Sequence, residues 1–270
     1  MKKLTQLFYP VLILAGSLLG ACQPESSSEQ TNQADTARVD ANPAAEGFNE
    51  AASDLQAIAI ADEIMQAMGG RKNWDNTRLI RWNFFGLRTL YWDKQTGDVR
   101  IDFPEDSLNI MLNVNNDQGK VYRNGQELTD ADSLQPYLSQ GKSIWINDSY
   151  WLVMPYKMKD SGVTLKYLGT DTTLRGDEAD LLQLTFENVG DTPQNKYKIY
   201  VDKEKRLVSQ WAYFKEASQD TANFVLPWLD YQKHGNILLS GNRDARQITD
   251  IQVRNTVPEG LFTSLRKPEK

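Results

Sequence analysis

The sequence predicts a mainly-β domain of the α+β class, built around an antiparallel sheet. Three observations carry this: one amphipathic helix at the start of the folded part, a change of hydrophobic period from about 3.6 to 2 after it, and a helical interruption near the middle. The helix comes first. Ser53 with Gln56 fits a capping box, and Asp54 suits the positive end of a helix. Ala57, Ile58, Ile60, Ala61, Ile64, Met65 and Met68 share one face, opposite Gln56, Asp62, Glu63 and Gln66. Gly69-Gly70 supplies the stop.

Strands follow. Ile80, Trp82 and Phe84 alternate with Arg81 and Asn83, and Val99, Ile101 and Phe103 with Arg100 and Asp102. Leu182, Leu184 and Phe186 alternate with Gln183 and Thr185, and Ile199 and Val201 with Lys198 and Tyr200. Such alternation marks strands buried on one face. Turn residues separate them at 95–98, 115–117, 124–125, 175–177 and Gly241-Asn242, a rhythm that predicts about nine to eleven strands. Residues 129–154 break the alternation. The spacing predicts two short helices, near 131–139 and 144–153, with Thr129 and Asp132 as a capping pair and Pro155 as the terminator. The sheet resumes near Val163.

The N-terminal part reads differently. Lys2 and Lys3, an apolar run from Leu7 to Leu19, and small Gly20 and Ala21 form a secretory leader over residues 1–21. Leu19-Gly20-Ala21-Cys22 resembles the lipobox of bacterial lipoproteins, in which the cysteine is acylated and becomes the new N-terminus. The apolar run is too short to span a bilayer comfortably, so acylated Cys22 is the expected membrane attachment. Residues 22–52 are expected to be a disordered tether, rich in small and polar residues, and 53–270 a single domain. The tether's polar stretch from Gln23 to Gly47, about 25 residues, spans roughly 25–30 Å as a coil. Gln23, where an inner-membrane retention signal carries Asp, points to the outer membrane of a Gram-negative envelope, facing the periplasm.

Composition removes several function classes. The chain carries a net charge of −6, and an acidic surface gains nothing from phosphate backbones, so nucleic acid is not an expected partner. Cys22 is the only cysteine and His234 the only histidine. A disulfide, a cysteine metal site and a multi-histidine metal site are therefore excluded. His234 sits beside a turn with no nucleophile pattern around it, and no glycine-rich phosphate loop occurs. Paired acids at Asp102, Glu105 and Asp106, or at Asp177, Glu178 and Asp180, are the remaining route to a hydrolase. No catalytic residue, metal or cofactor is assigned. Asp35-Thr36-Ala37 resembles a short O-glycosylation motif of some exported proteins, with Thr36 the acceptor.

Several phrases carry a wider resemblance: Gly69-Gly70 followed by Trp74, Tyr150-Trp151-Leu152-Val153-Met154-Pro155-Tyr156-Lys157, Leu184-Thr185-Phe186-Glu187-Asn188-Val189-Gly190, Tyr197-Lys198-Ile199-Tyr200-Val201-Asp202, and Asp230-Tyr231. They resemble a family of exported bacterial lipoproteins known only as a domain of unknown function. The order of helix, sheet and inserted helices is similar to the LolA/LolB-like fold. That resemblance covers most of residues 54–250 and implies a curved antiparallel sheet, an unclosed half-barrel whose concave side binds acyl chains under a helical lid. LolA is a soluble shuttle, whereas acylated Cys22 would hold this chain in place, as in the tethered receptor LolB.

The aromatic content fits such an interior, with seven tryptophans and eleven tyrosines. Trp82, Phe84, Ile101, Leu112, Trp145, Trp151, Met154 and Met158 are the expected lining of a pocket for a lipid or acyl chain. The expected function is thus a non-enzymatic, lipid-anchored envelope protein that binds an apolar ligand. The alternatives are a scaffold lipoprotein that binds a protein partner through a sheet edge or an aromatic surface, and a carboxylate-pair hydrolase.

Overall fold

The computed structural model describes residues 42–265; the leader, Cys22 and Thr36 lie outside them. Helix α1 (Leu55–Ala67) buries Ala57, Ile60, Ala61, Ile64 and Met65, the face set by its periodicity. Its expected capping box does not form. Ser53 Oγ instead accepts from Leu165 N at 3.0 Å, and the Asp54 carboxylate accepts from Tyr167 N at 3.0 Å and Lys166 Nζ at 2.9 Å. Both side chains serve a neighbouring strand, a partner invisible to local sequence. Gly69 and Gly70 end the helix with φ of +112° and +86°, a region that glycine enters without steric cost. Helix α2 (Arg71–Asn76) leads into the sheet.

Fourteen strands follow among the described residues, more than the nine to eleven expected. The first meander comprises β1 (Leu79–Phe84), β2 (Arg88–Asp93), β3 (Asp98–Phe103), β4 (Leu108–Asn113), β5 (Gln118–Arg123) and β6 (Gln126–Glu127). After the insertion come β7 (Val163–Thr172), β8 (Glu178–Phe186), β9 (Lys196–Asp202), β10 (Val208–Phe214) and β11 (Phe224–Pro227). The last are β12 (Leu229–His234), β13 (Ile237–Arg243) and β14 (Arg246–Arg254). The short β6 and β11 give no two-residue period over a readable length, which is why they escape the pattern. Gly241 lies inside β13 rather than at a turn. A Cβ there would stand 2.0 Å from Ile248 O, so the glycine permits close strand approach.

The strands form a nine-stranded sheet, β12-β13-β14-β1-β2-β3-β4-β5-β6, and a five-stranded sheet, β11-β10-β9-β8-β7. Residues 224–234 belong to both: β11 pairs with β10, β12 pairs with β13, and Trp228 N between them still donates to Ser209 O at 2.8 Å. The chain thereby turns a corner and joins the two sheets into one curved surface, open at β6 and β7. The β7 edge is covered by residues 49–54: Asn49 N donates to Val163 O at 3.0 Å and Asp54 N to Leu165 O at 2.9 Å. Exposed edges invite pairing with other chains, and this one is half closed by the chain itself.

The insertion is one helix, α3 (Ala131–Val153), rather than two. Asp130, not Thr129, caps it, accepting from Ser133 N at 2.9 Å. Pro136 is accommodated near its start at the loss of one helical bond. Gly141, between the two expected segments, continues the helix and is a contact residue. A Cβ there would lie 2.8 Å from Ile110 Cγ2 on β4, and one on Gly119 of β5 would lie 2.8 Å from Leu138 Cδ2. These two glycines let α3 seat closely on β4 and β5. Pro155 then sits in the single 3-10 turn Met154–Tyr156 that ends the insertion.

Candidate functional site

Residues 80, 82 and 84 of β1, with alternate residues of its neighbours, point toward α1 and α3, and the apolar core lies between them. All eight expected lining residues meet in this one cluster. Trp82 and Phe84 come from β1, Ile101 from β3 and Leu112 from β4; Trp145 and Trp151 come from α3, and Met154 and Met158 follow it. Trp145 is partly buried and the other seven are buried. Side chains pack the space between α3 and the sheet in this form, so a ligand there requires α3 to move.

Two arginines fasten α3. Arg88, at the start of β2, grips Asp148 with both carboxylate oxygens, Nε–Oδ2 at 2.6 Å and NH2–Oδ1 at 2.8 Å. Asp148 is fully buried, and burial raises its carboxyl above the ordinary value against the pull of Arg88. Arg243, at the end of β13, donates from NH2 to Trp151 O at 2.8 Å. Cationic donors at a helix C-terminus also meet its negative dipole end.

Around this second fastening the interior is aromatic. Phe85 meets Trp151 at 5.2 Å between centroids, Trp151 meets Trp211 at 4.9 Å, and Trp211 meets Trp228 at 5.2 Å. Tyr197 stacks on Trp211 at 5.3 Å, and Tyr150 lies 5.3 Å from Tyr197. Arg243 Cζ sits 3.4 Å over the Trp228 ring. Burial lowers the Arg243 guanidinium to about 9, so it is still protonated at neutral pH. Burial raises the phenols of Tyr150, Tyr197 and Tyr231, which keeps them as neutral donors.

The polar atoms of this interior are unusual. Trp82 Nε1, Trp145 Nε1, Tyr150 OH, Trp211 Nε1, Trp228 Nε1 and Arg243 Nε are all buried without a hydrogen-bond partner among the described residues. Native cores leave few such groups, and each calls for an explanation.

The sequence singled out Trp151 but assigned Arg88, Asp148, Tyr150, Trp211, Trp228 and Arg243 no place in the site. Trp211 was within reach as one of seven tryptophans. Arg243 was not: it follows Gly241-Asn242, which reads as a turn. The acids considered for hydrolysis are spread among other roles. Asp102 pairs with Arg100 at 2.8 Å, Glu178 with Lys203, and Asp180 with Arg206 at 2.6 Å, while Glu105, Asp106 and Asp177 are exposed at turns. His234 ends β12, and partial burial lowers its pKa. No group of three His, Cys, Asp or Glu side chains among the described residues could hold a metal ion. No helix among them is long and apolar enough to cross a membrane.

A second concavity, about 850 Å³ in volume, lies on the face of the sheet away from the helices. Leu79, Arg81, Tyr91, Asn109, Gln252 and Arg254 line it, together with Leu261 of the C-terminal segment. Arg81 donates to Asp250 O at 2.8 Å and Arg254 to Gln252 Oε1 at 3.2 Å.

No known family model matches the chain, and no curated protein sequence matches it. Among solved structures, the chain is similar to a DUF1329 family protein from Desulfovibrio piger, with 13% identity, 76% of this chain and 96% of that chain covered, and a TM-score of 0.43. It is similar to a putative outer membrane lipoprotein-sorting protein domain from Vibrio parahaemolyticus at 10% identity, covering 77% and 96%, with a TM-score of 0.42. It is also similar to a LolA superfamily protein from Nitrosomonas europaea at 9% identity, covering 77% and 97%, with a TM-score of 0.37.

Proposed function

We propose that this chain is a non-enzymatic envelope protein, anchored through acylated Cys22 at the periplasmic face of the outer membrane, that holds an apolar ligand between its curved sheet and α3. The observation that supports this is the cover itself. One helix, fastened by Arg88 and Arg243, lies over an aromatic interior in which several buried donors have no partner among the described residues. An acyl chain that displaced α3 would replace ring contacts with methylene contacts and so keep apolar area out of water, at about 25 cal/mol per Å². Trp82, Phe84, Ile101, Leu112, Trp145, Trp151, Met154 and Met158 would line the space so formed.

Cross-linking tests this. In a Cys22→Ser background, which leaves no native thiol, Gly141→Cys with Ile110→Cys places two thiols where α3 touches β4. The oxidised form is expected to exclude a pyrenyl fatty methyl ester, and reduction is expected to restore uptake. Equal uptake by both forms contradicts entry beneath α3.

The outer groove favours a second reading, a scaffold that docks a partner on the far face of the sheet. Arg81 and Arg254 line that groove without a carboxylate partner among the described residues. Absence of uptake by either form of the cross-linked protein would favour it.

A further inference from the structure

The polar atoms left over in the interior are almost all of one kind. Tyr150 OH, Trp211 Nε1, Trp228 Nε1 and Arg243 Nε are donors, and they belong to one contiguous set. Tyr150 lies 6.4 Å from Trp211, Trp211 5.2 Å from Trp228, and Arg243 Cζ 3.4 Å above Trp228. Arg243 is completely buried, and no carboxylate pairs with it among the described residues. Its other N–H groups reach only Ser240, Asn242 O and Trp151 O. A buried cation without a counter-charge is costly, and four donors without an acceptor add to that cost. A hydrocarbon tail alone would relieve neither.

We propose that the ligand ends in a carboxylate, received by Arg243 together with the indole N–H groups of Trp211 and Trp228; this rests on the reading that an apolar ligand enters beneath α3. A carboxylate offers about four acceptor positions and a full negative charge. The Arg243 NH2 that now holds Trp151 O would pass to the carboxylate as α3 lifts, so one guanidinium would fasten the closed helix and receive the ligand in turn. The ligand class is a long-chain fatty acid rather than its ester.

The test is a titration of the folded protein, followed by tryptophan fluorescence, with palmitate and with methyl palmitate, both below the concentration at which they aggregate. Palmitate is expected to bind at least tenfold more tightly than the ester. Arg243→Gln is expected to remove that preference while ester binding persists. Arg243→Lys, which keeps the charge at this buried position, is measured beside it as a control for folding and is expected to retain a preference for the acid. Equal affinity of the wild-type protein for acid and ester overturns the carboxylate site and leaves the apolar interior standing. Binding of neither overturns the interior reading itself.

Discussion

Arg88→Ala is expected to destabilise the protein by about 3–5 kcal/mol at pH 7.5, because it leaves a buried carboxylate without its charge partner. Asp148 is fully buried, and Arg88 supplies both of its charge-assisted bonds; Asn147 Nδ2 gives only a further neutral one at 2.9 Å. The sign with pH follows from the direction of the Asp148 shift. Burial already holds this carboxyl above its ordinary value, and removing Arg88 raises it further. A group raised in the folded state costs stability as pH rises through its folded pKa, and the cost is relieved below it. The deficit of the variant should therefore be smaller in a measurement at about pH 5 than in one at pH 7.5, because protonation of the carboxyl removes the unpaired charge. Urea denaturation at the two pH values measures this. A deficit below about 1 kcal/mol, or one that does not change with pH, would mean that the pair carries little of the fastening of α3.

Trp211→Ala is the second large expected loss. Trp211 is 1% exposed and touches the rings of Tyr150, Trp151, Tyr197, Phe224 and Trp228. Removing it opens a cavity in the middle of the aromatic cluster, at a cost of about 3–5 kcal/mol. Trp211→Phe should cost far less, since it keeps a ring in place and removes an indole N–H that has no partner. Thermal unfolding of both variants gives the comparison. A phenylalanine variant as damaged as the alanine variant would show that the indole N–H does have an acceptor in solution.

Much of this fold is legible in the sequence because it is written in periodicity. The apolar face of α1, the strands β1, β3, β8 and β9, and the glycine stop at 69–70 are all local patterns, and each element appears where it was read, while Arg100 of β3 and Tyr200 of β9, on faces read as wet, are buried as well. What escaped depends on distant partners. Ser53 and Asp54 look like a helix cap but bond to β7, whose approach no local window shows. The gap expected between two short helices holds Gly141, which is there to admit Ile110 of β4. Trp82 and Trp151 could be singled out because large aromatics on an alternating strand or beside a proline stand out. Arg88 and Asp148 could not, because one closes a hairpin, the other sits in mid-helix, and sixty positions separate them. Arg243 hides for the same reason: its meaning comes from α3 and Trp228, not from its neighbours in the chain.

Native mass spectrometry of the full-length protein, extracted gently from membranes without lipid-stripping detergent, tests whether an apolar ligand is held beneath α3. A population heavier than the acylated chain by the mass of a non-covalent, lipid-like ligand is expected, lost on denaturation and absent from an oxidised Gly141→Cys, Ile110→Cys variant that keeps acylated Cys22. Only the mass of the chain with its covalent lipid, unchanged by denaturation and the same in both proteins, would contradict it.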